Sequence, residues 1–259
     1  MTGPCSSAKL TAHTVKTETT TSKKMRTKTL LIAAAALAAA VTSSQAQTVY
    51  SQNIVGYANL TLSPGNYELV APTFDLDGTG TNGTITTVVG TNVATGTSIL
   101  VFNGSGYDAL TWGSLGRGQP LGWTLNGAYD PTYPINVGQG FWVNDPSDTN
   151  LTVSGTVLQG AALTNEFVLG AGNYSLLSSQ VPISGGVTSV LKYQPSVGDA
   201  ILLYNGSGYD AYSYGSLGRG QPVEWTLNGA SNEPNVSVGQ GFWLNPSAAN
   251  TWVETFTNN

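Results

Sequence analysis

The chain has 259 residues, 32 of them glycine, and only 9% are charged. Its single cysteine and single histidine, Cys5 and His13, both precede residue 46, so the rest offers no thiol or imidazole for nucleophile-base pairs, metal ligation or disulfides. Beyond residue 46 only Arg117, Lys192 and Arg219 are basic, against thirteen acidic residues, a balance that repels nucleic-acid phosphates and anionic membranes.

Residues 1–24 are polar and aperiodic and are expected to be an upstream extension or a misplaced start. Residues 25–46 have the three parts of a signal peptide: a basic end at Arg26 and Lys28, an apolar run from Leu30 to Val41, and the small-residue ending Ser44-Gln45-Ala46. The run is short for a membrane span and no second one follows, so the expectation is a secreted protein at the cell surface or beyond, without stable membrane insertion. Cleavage after Ala46 would leave Gln47 at the mature N-terminus. Residues 47–53 are then an N-terminal strand or linker, and 49–57 could dock as a strand into a neighbouring molecule.

An internal duplication organises what remains. Asn-Gly-Ser-Gly-Tyr-Asp-Ala at 103–109 recurs at 205–211, Gly-Ser-Leu-Gly-Arg-Gly-Gln-Pro at 113–120 recurs at 215–222, and Trp-Thr-Leu-Asn-Gly-Ala at 123–128 recurs at 225–230. After a one-residue deletion, Val-Gly-Gln-Gly-Phe-Trp at 137–142 recurs at 238–243. The units are placed at 54–150 and 160–255, with 151–159 as linker and 256–259 as tail.

Short apolar stretches at 57–62, 67–71, 98–102 and 140–143, with counterparts at 166–169, 174–177, 200–204 and 241–244, alternate with Gly, Pro, Asn and Ser clusters. No sustained helical periodicity appears, and glycine at this density penalises long helices. The expected fold is all-β: two tandem related β-sandwich or small-barrel units formed from short antiparallel strands and hairpins. Asn103-Gly104 and Asn205-Gly206 are expected at hairpin turns, either tight or four-residue, and Asn126-Gly127 and Asn228-Gly229 at a second pair.

The Gly-Ser-Leu-Gly-Arg-Gly segments invite comparison with phosphate loops, but Gln-Pro follows instead of a helix, so irregular turns are expected, with Arg117 and Arg219 paired to Asp108 and Asp210. In Val-Gly-Gln-Gly-Phe-Trp, the paired rings Phe141/Trp142 and Phe242/Trp243 must point to opposite strand faces. One ring of each pair is expected in its own core and the other against an opposing layer or a loop. Tyr107, Trp112 and Trp123, with Tyr209, Tyr214 and Trp225, form a second aromatic series, whose rings are candidate contacts for a sugar face or another subunit, or else core.

The stretch Asp75 to Gly83 holds Asp75, Asp77 and Asn82 at calcium-loop spacing but has Thr86 where the bidentate Glu belongs, so an Asx-type turn is favoured over a metal site. The symmetric carboxylates Asp108 and Asp210 repeat one context, which suits one job done twice better than the complementary acid and base of a glycosidase. No catalytic residue, cofactor or metal is therefore expected, and the chain is taken as a non-enzyme.

The Tyr57-led strand, the Pro64-Gly65-Asn66-Tyr67 turn and the Val-Gly-Gln-Gly-Phe-Trp elements resemble those of secreted β-rich repeat proteins of environmental, Verrucomicrobia-like bacteria, a group with no defined activity. That resemblance spans most of 47–255 and implies a bacterial extracellular setting alone. The expected function is an extracellular structural protein, a self-assembling surface, matrix or filament subunit joined through β edges or aromatic surface; the alternative is a carbohydrate-binding module whose partner is a polysaccharide.

Overall fold

The computed structural model describes residues 55–75, 83–147, 150–158, 165–254 and 256, with backbone alone for 165–168. The upstream extension, the signal peptide, most of the 49–57 segment and the calcium-like turn beyond Asp75 lie outside the described residues.

Twenty strands and one helical turn are the regular elements of the described residues, and the two copies repeat the same order of strands, the helical turn belonging to the first. The first copy runs β1 (Val55–Thr61), β2 (Tyr67–Val70), β3 (Gly83–Thr84), α1 (Ile85–Val88), β4 (Ser98–Phe102), β5 (Tyr107–Ser114), β6 (Leu121–Leu125), β7 (Ala128–Tyr129), β8 (Pro134–Ile135), β9 (Phe141–Asn144) and β10 (Asn150–Thr156). The second runs β11 (Asn165–Leu169), β12 (Ser175–Leu177), β13 (Gly185–Gly186), β14 (Ala200–Tyr204), β15 (Tyr209–Ser216), β16 (Val223–Leu227), β17 (Ala230–Ser231), β18 (Asn235–Val236), β19 (Phe242–Asn245) and β20 (Asn250–Glu254).

Each copy builds one six-stranded antiparallel sheet, ordered β2-β9-β4-β5-β6-β7 and β12-β19-β14-β15-β16-β17, plus two small ribbons, β1-β10 with β3-β8 and β11-β20 with β13-β18. The fold is all-β with two sandwich-like units, as the strand-and-turn pattern predicted. In the first copy, Ile99, Val101, Leu110, Phe141 and Val143 from the large sheet share a core with Leu60, Leu151 and Val153 from the β1-β10 ribbon and Ile85 and Val88 from α1.

Residues 151–156, expected to be linker, are strand. β10 pairs with β1 from Leu60↔Leu151 to Val55↔Thr156 and closes the first copy on itself. Leu151 and Val153 are buried while Thr152 and Ser154 are exposed, the period-two alternation of a half-buried strand. The same pairing means that 55–57, part of the segment expected to dock into a neighbour, already has a partner within the chain.

The turns follow from residue type. Asn126 and Asn228 take φ of 50° and 53°, and the glycines after them 85° and 76°, as a two-residue type I′ hairpin turn requires. The β4-β5 connection is the four-residue alternative: Asn103 N–H donates to Gly106 O at 3.0 Å, and the Asn103 side-chain oxygen accepts from the N–H groups of Ser105 and Gly106. Asn205 repeats this with Ser207 and Gly208. The Gly-Ser-Leu-Gly-Arg-Gly-Gln-Pro segments are the β5-β6 and β15-β16 hairpin loops and lead into strands, not helices.

Candidate functional site

Alternation within the strands gives each large sheet two apolar faces. In β4, Ile99 and Val101 enter the first core while Leu100 and Phe102 point the other way; in β9, Phe141 and Val143 point inward and Trp142 outward. The second copy repeats this with Ile201, Leu203, Phe242 and Leu244 inside and Leu202, Tyr204 and Trp243 outside. The outward residues, with Leu69 and Leu176, form a third apolar cluster shared by the two copies. Each Phe-Trp pair thus divides as its spacing predicted, one ring for its own core and one against an opposing layer.

The contacts in this shared layer are reciprocal. Phe102 meets Trp243 edge-on at 4.9 Å, and its counterpart Tyr204 meets Trp142 edge-on at 4.9 Å. Gly140 N–H donates to Leu176 O at 3.1 Å, and Gly241 N–H donates to Leu69 O at 3.1 Å. Ala71 N–H reaches Gly239 O and Ser178 N–H reaches Gly138 O, at 2.9 and 2.8 Å. One chain therefore carries within itself the self-complementary contact set of a twofold dimer.

The glycines of Val-Gly-Gln-Gly-Phe-Trp permit this approach. A Cβ on Gly140 would stand 2.9 Å from Leu176 Cγ and 3.1 Å from that residue's carbonyl carbon; on Gly241 it would stand 2.9 Å from Leu69 Cγ and 3.2 Å from Val70 O. Gln139 and Gln240 fold back to accept from Asn136 N–H and Ser237 N–H, each at 3.0 Å, and so brace the turn that presents the glycine.

The six candidate contact residues do not form one surface. Trp112, Trp123 and Trp225 are buried and belong to the separate cores, with Tyr214 half-buried beside Trp225 at 5.3 Å. Trp123 Nε1 donates to Gly90 O and Trp225 Nε1 to Thr188 Oγ1, so these indoles also tie down the turn beneath them. Tyr107 and Tyr209 alone are open, at 44% and 43% exposure, flanking Phe102 and Tyr204 at 5.8 Å in both copies. Trp243 Nε1 donates to Tyr209 Oη at 3.3 Å. Trp112, Trp123 and Trp225 are therefore core residues and not contacts, a distinction the sequence does not carry because an aromatic in an alternating strand shows no face by itself.

The carboxylates also find other partners than those expected. Asp108 accepts from Asn103 Nδ2 at 2.9 Å and Tyr133 Oη at 2.7 Å, and Asp210 accepts from Asn205 Nδ2 at 3.0 Å. Both close the hairpin that carries them, and Arg117 and Arg219 are exposed in the next loop instead of pairing with them. Among the described residues no group of three or more His, Cys, Asp or Glu side chains could hold a metal.

Three buried carboxyl groups escaped sequence inspection. Asp145 accepts from Thr97 Oγ1 and from Ser147 N–H, and Asp199 accepts from Ser247 N–H, Ser196 N–H and Tyr193 Oη at 2.7 to 2.9 Å. Glu254 accepts from Ser179 Oγ and Gln180 N–H, both at 2.7 Å, yet burial pushes its carboxyl up to about 7 against the pull of those two donors. The Ser179 hydroxyl also lies 2.7 Å from Val181 O. One proton cannot serve both acceptors, and a protonated Glu254 that donates to Ser179 Oγ resolves the conflict.

Two concavities stand out. One, of about 280 Å³, opens in the first copy among Thr91, Asn92, Thr97, Asp145, Asn150 and Leu151. The other, of about 360 Å³, lies where the copies meet and includes Asn59, Glu68, Tyr204 and Gln240. No protein-family model, curated protein or solved structure matches the chain.

Proposed function

We propose that the chain is an extracellular structural protein, a subunit of surface or matrix material, without catalytic activity. The observation that carries this is the edge of β1. Among the described residues β1 pairs with β10 alone, and its seven residues hold neither a charge nor a proline, the usual guards of a free edge. Val55 and Tyr57 on this strand are each 73% exposed. A strand from a second molecule can add there through main-chain hydrogen bonds. The reciprocal layer between the copies supports the same reading, because it makes the doubled unit a stiff building block.

Removing residues 47–57 would cut into β1 itself, so substitution is the cleaner test. The secreted chain, concentrated and imaged by negative-stain electron microscopy, should form assemblies that Val55→Lys/Tyr57→Lys disperses, with an unchanged melting temperature. A wild-type chain that sediments as a monomer at every concentration overturns the proposal.

A carbohydrate-binding role is the second reading, favoured by the groove between the copies, where the Tyr204 ring stands beside Asn59, Glu68 and Gln240. Exposed Tyr107 and Tyr209 near that boundary supply further faces for sugar stacking. Polysaccharide retention lost in Tyr107→Ala/Tyr209→Ala would support it; the buried tryptophans are unsuitable probes.

A further inference from the structure

One place in the two copies has matching strand registers around it and opposite contents. In the second copy Tyr193 is fully buried, donates its phenol O–H to Asp199 at 2.7 Å, and lies edge-on to Trp252 at 5.8 Å. The Trp252 indole N–H is fixed on Leu191 O at 2.8 Å. Lys192, just before Tyr193, adopts φ of 63° where the first copy has Gly90 at 87°, so both copies pass through a positive-φ residue at the same point. Ribbon pairing sets the remaining correspondence: Leu151 faces Leu60 in β1-β10 as Trp252 faces Phe167 in β11-β20.

At these two positions the first copy has Thr91 and Leu151, and both line the 280 Å³ cavity. Its lining combines the aliphatic residues Leu62, Val93 and Val143 with the acidic Asp145. Asp145 stands in for Asp199, since each accepts the N–H of the serine after the same proline, Ser147 in one copy and Ser247 in the other. The second copy thus fills with its own tyrosine and tryptophan rings the place that the first leaves open.

We propose that this cavity of the first copy is a binding site for a small neutral phenol, whose ring takes the volume of the missing tyrosine and whose O–H donates to Asp145. The second copy shows what such a site accepts, because Tyr193 is in effect a phenol tethered by the chain. Burial and the neighbouring carboxylate push the Tyr193 phenol upward, so this environment holds the group protonated. Anionic ligands are disfavoured by Asp145, and an apolar ring without a donor forgoes the charge-assisted hydrogen bond. The site is independent of the assembly proposed above and stands or falls separately.

The test uses the full chain and 4-methylphenol, the tyrosine side chain without its backbone, with toluene as the ligand lacking the hydroxyl. Calorimetry and methyl NMR should show saturable binding with a dissociation constant on the order of 1 mM or tighter. Shift changes should centre on Leu151 and Val143. Toluene should bind at least tenfold more weakly. Thr91→Tyr should reduce 4-methylphenol binding at least tenfold and raise the melting temperature. Lack of saturable binding, equal affinity for toluene, shift changes elsewhere, or undiminished binding by a folded Thr91→Tyr would each overturn the proposal; the toluene and NMR results decide it if that variant fails to fold.

Discussion

The layer between the copies and the outer end of each copy have diverged to very different degrees. Between them, residue pairs are the same or close in kind: Leu69 with Leu176, Trp142 with Trp243, Phe102 with Tyr204, with contact distances that repeat to a tenth of an ångström. At the outer ends one local requirement is met by different residues. Asp145 with Thr97 in the first copy becomes Asp199 in the second, the carboxylate having crossed to the Thr97 position while still capping the Pro-Ser turn. Gly122 beneath the Tyr129 ring becomes Glu224 with Ser231. A residue in the shared layer must fit both its neighbours and its own counterpart, whereas an outer residue answers only to its copy.

The strongest way to break this comparison is to remove one side of the reciprocal contact. Trp142→Ala and Trp243→Ala should each cost about 3–5 kcal/mol, the range for a buried aromatic truncated in a close-packed layer. In denaturant titration the two costs should agree to within the hydrogen bond that Trp243 Nε1 gives to Tyr209 Oη, about 1 kcal/mol. A cost several-fold larger for one than for the other would show that the layer is not symmetric in energy even though it is in geometry.

Glu254 sharpens the contrast at the outer ends, since the first copy has Val153 at the corresponding ribbon position. Its carboxyl titrates near 7 in the fold against 4.5 as the reference, so the folded chain holds this proton more tightly than the unfolded one. This group's contribution is fully present below about pH 4.5, is lost as pH rises through about 7, and is flat above. The loss is about 3 kcal/mol for a shift of this size, as an upper figure. Thermal melts of the wild type minus those of Glu254→Gln should trace that curve, and a difference independent of pH between 4.5 and 8 would remove the buried-acid account.

Glycines divide in the same way. Gly140→Ala and Gly241→Ala force a methyl against the other copy's backbone and should cost about 1–3 kcal/mol each. Gly106→Ala, with no atom within 4 Å of the added Cβ, should stay within about 0.5 kcal/mol. Equal effects at Gly106 and Gly140 would mean that close approach is not what those glycines provide.

The sequence was most legible where a physical requirement is local. Asn-Gly pairs mark the two-residue turns because positive φ is a property of the residues themselves, and the Phe-Trp doublets announce two buried faces because adjacent strand residues cannot share one. Trp112, Trp123 and Trp225 could not be assigned a face without knowing which side of the sheet was covered. Residues 151–156 read as linker in sequence because the strand they form depends on a distant partner, β1, far earlier in the chain. The open cavity has no sequence signal in one copy; it becomes visible only when Thr91 and Leu151 are set against Tyr193 and Trp252.

The smallest expected effect concerns the turn after β3 and β13. In the first copy Thr84 caps α1, its hydroxyl accepting from Thr87 N–H at 3.2 Å while Thr87 Oγ1 accepts from Thr84 N–H at 2.8 Å, a reciprocal capping box. The second copy has Gly186 in place of Thr84, and Glu233 reaches in from the chain before β18 to accept from Thr188 and Ser189 N–H at 2.6 and 2.7 Å. A Cβ on Gly186 would collide with the Ser189 hydroxyl and with the Glu233 carboxyl carbon at 2.6 Å, so a side chain here and the Glu233 cap compete for one space. Thr84→Ala should therefore cost about 1 kcal/mol. Glu233→Ala should cost about as much, while Glu233→Gln, which keeps an acceptor in place, should cost less. A Gly186→Thr substitution should be destabilising alone and milder beside Glu233→Ala, because with the carboxyl gone only the Ser189 hydroxyl must rotate away to admit the threonine. A double variant as unstable as the two single changes added together would mean that the cap belongs to the residue and not to the place.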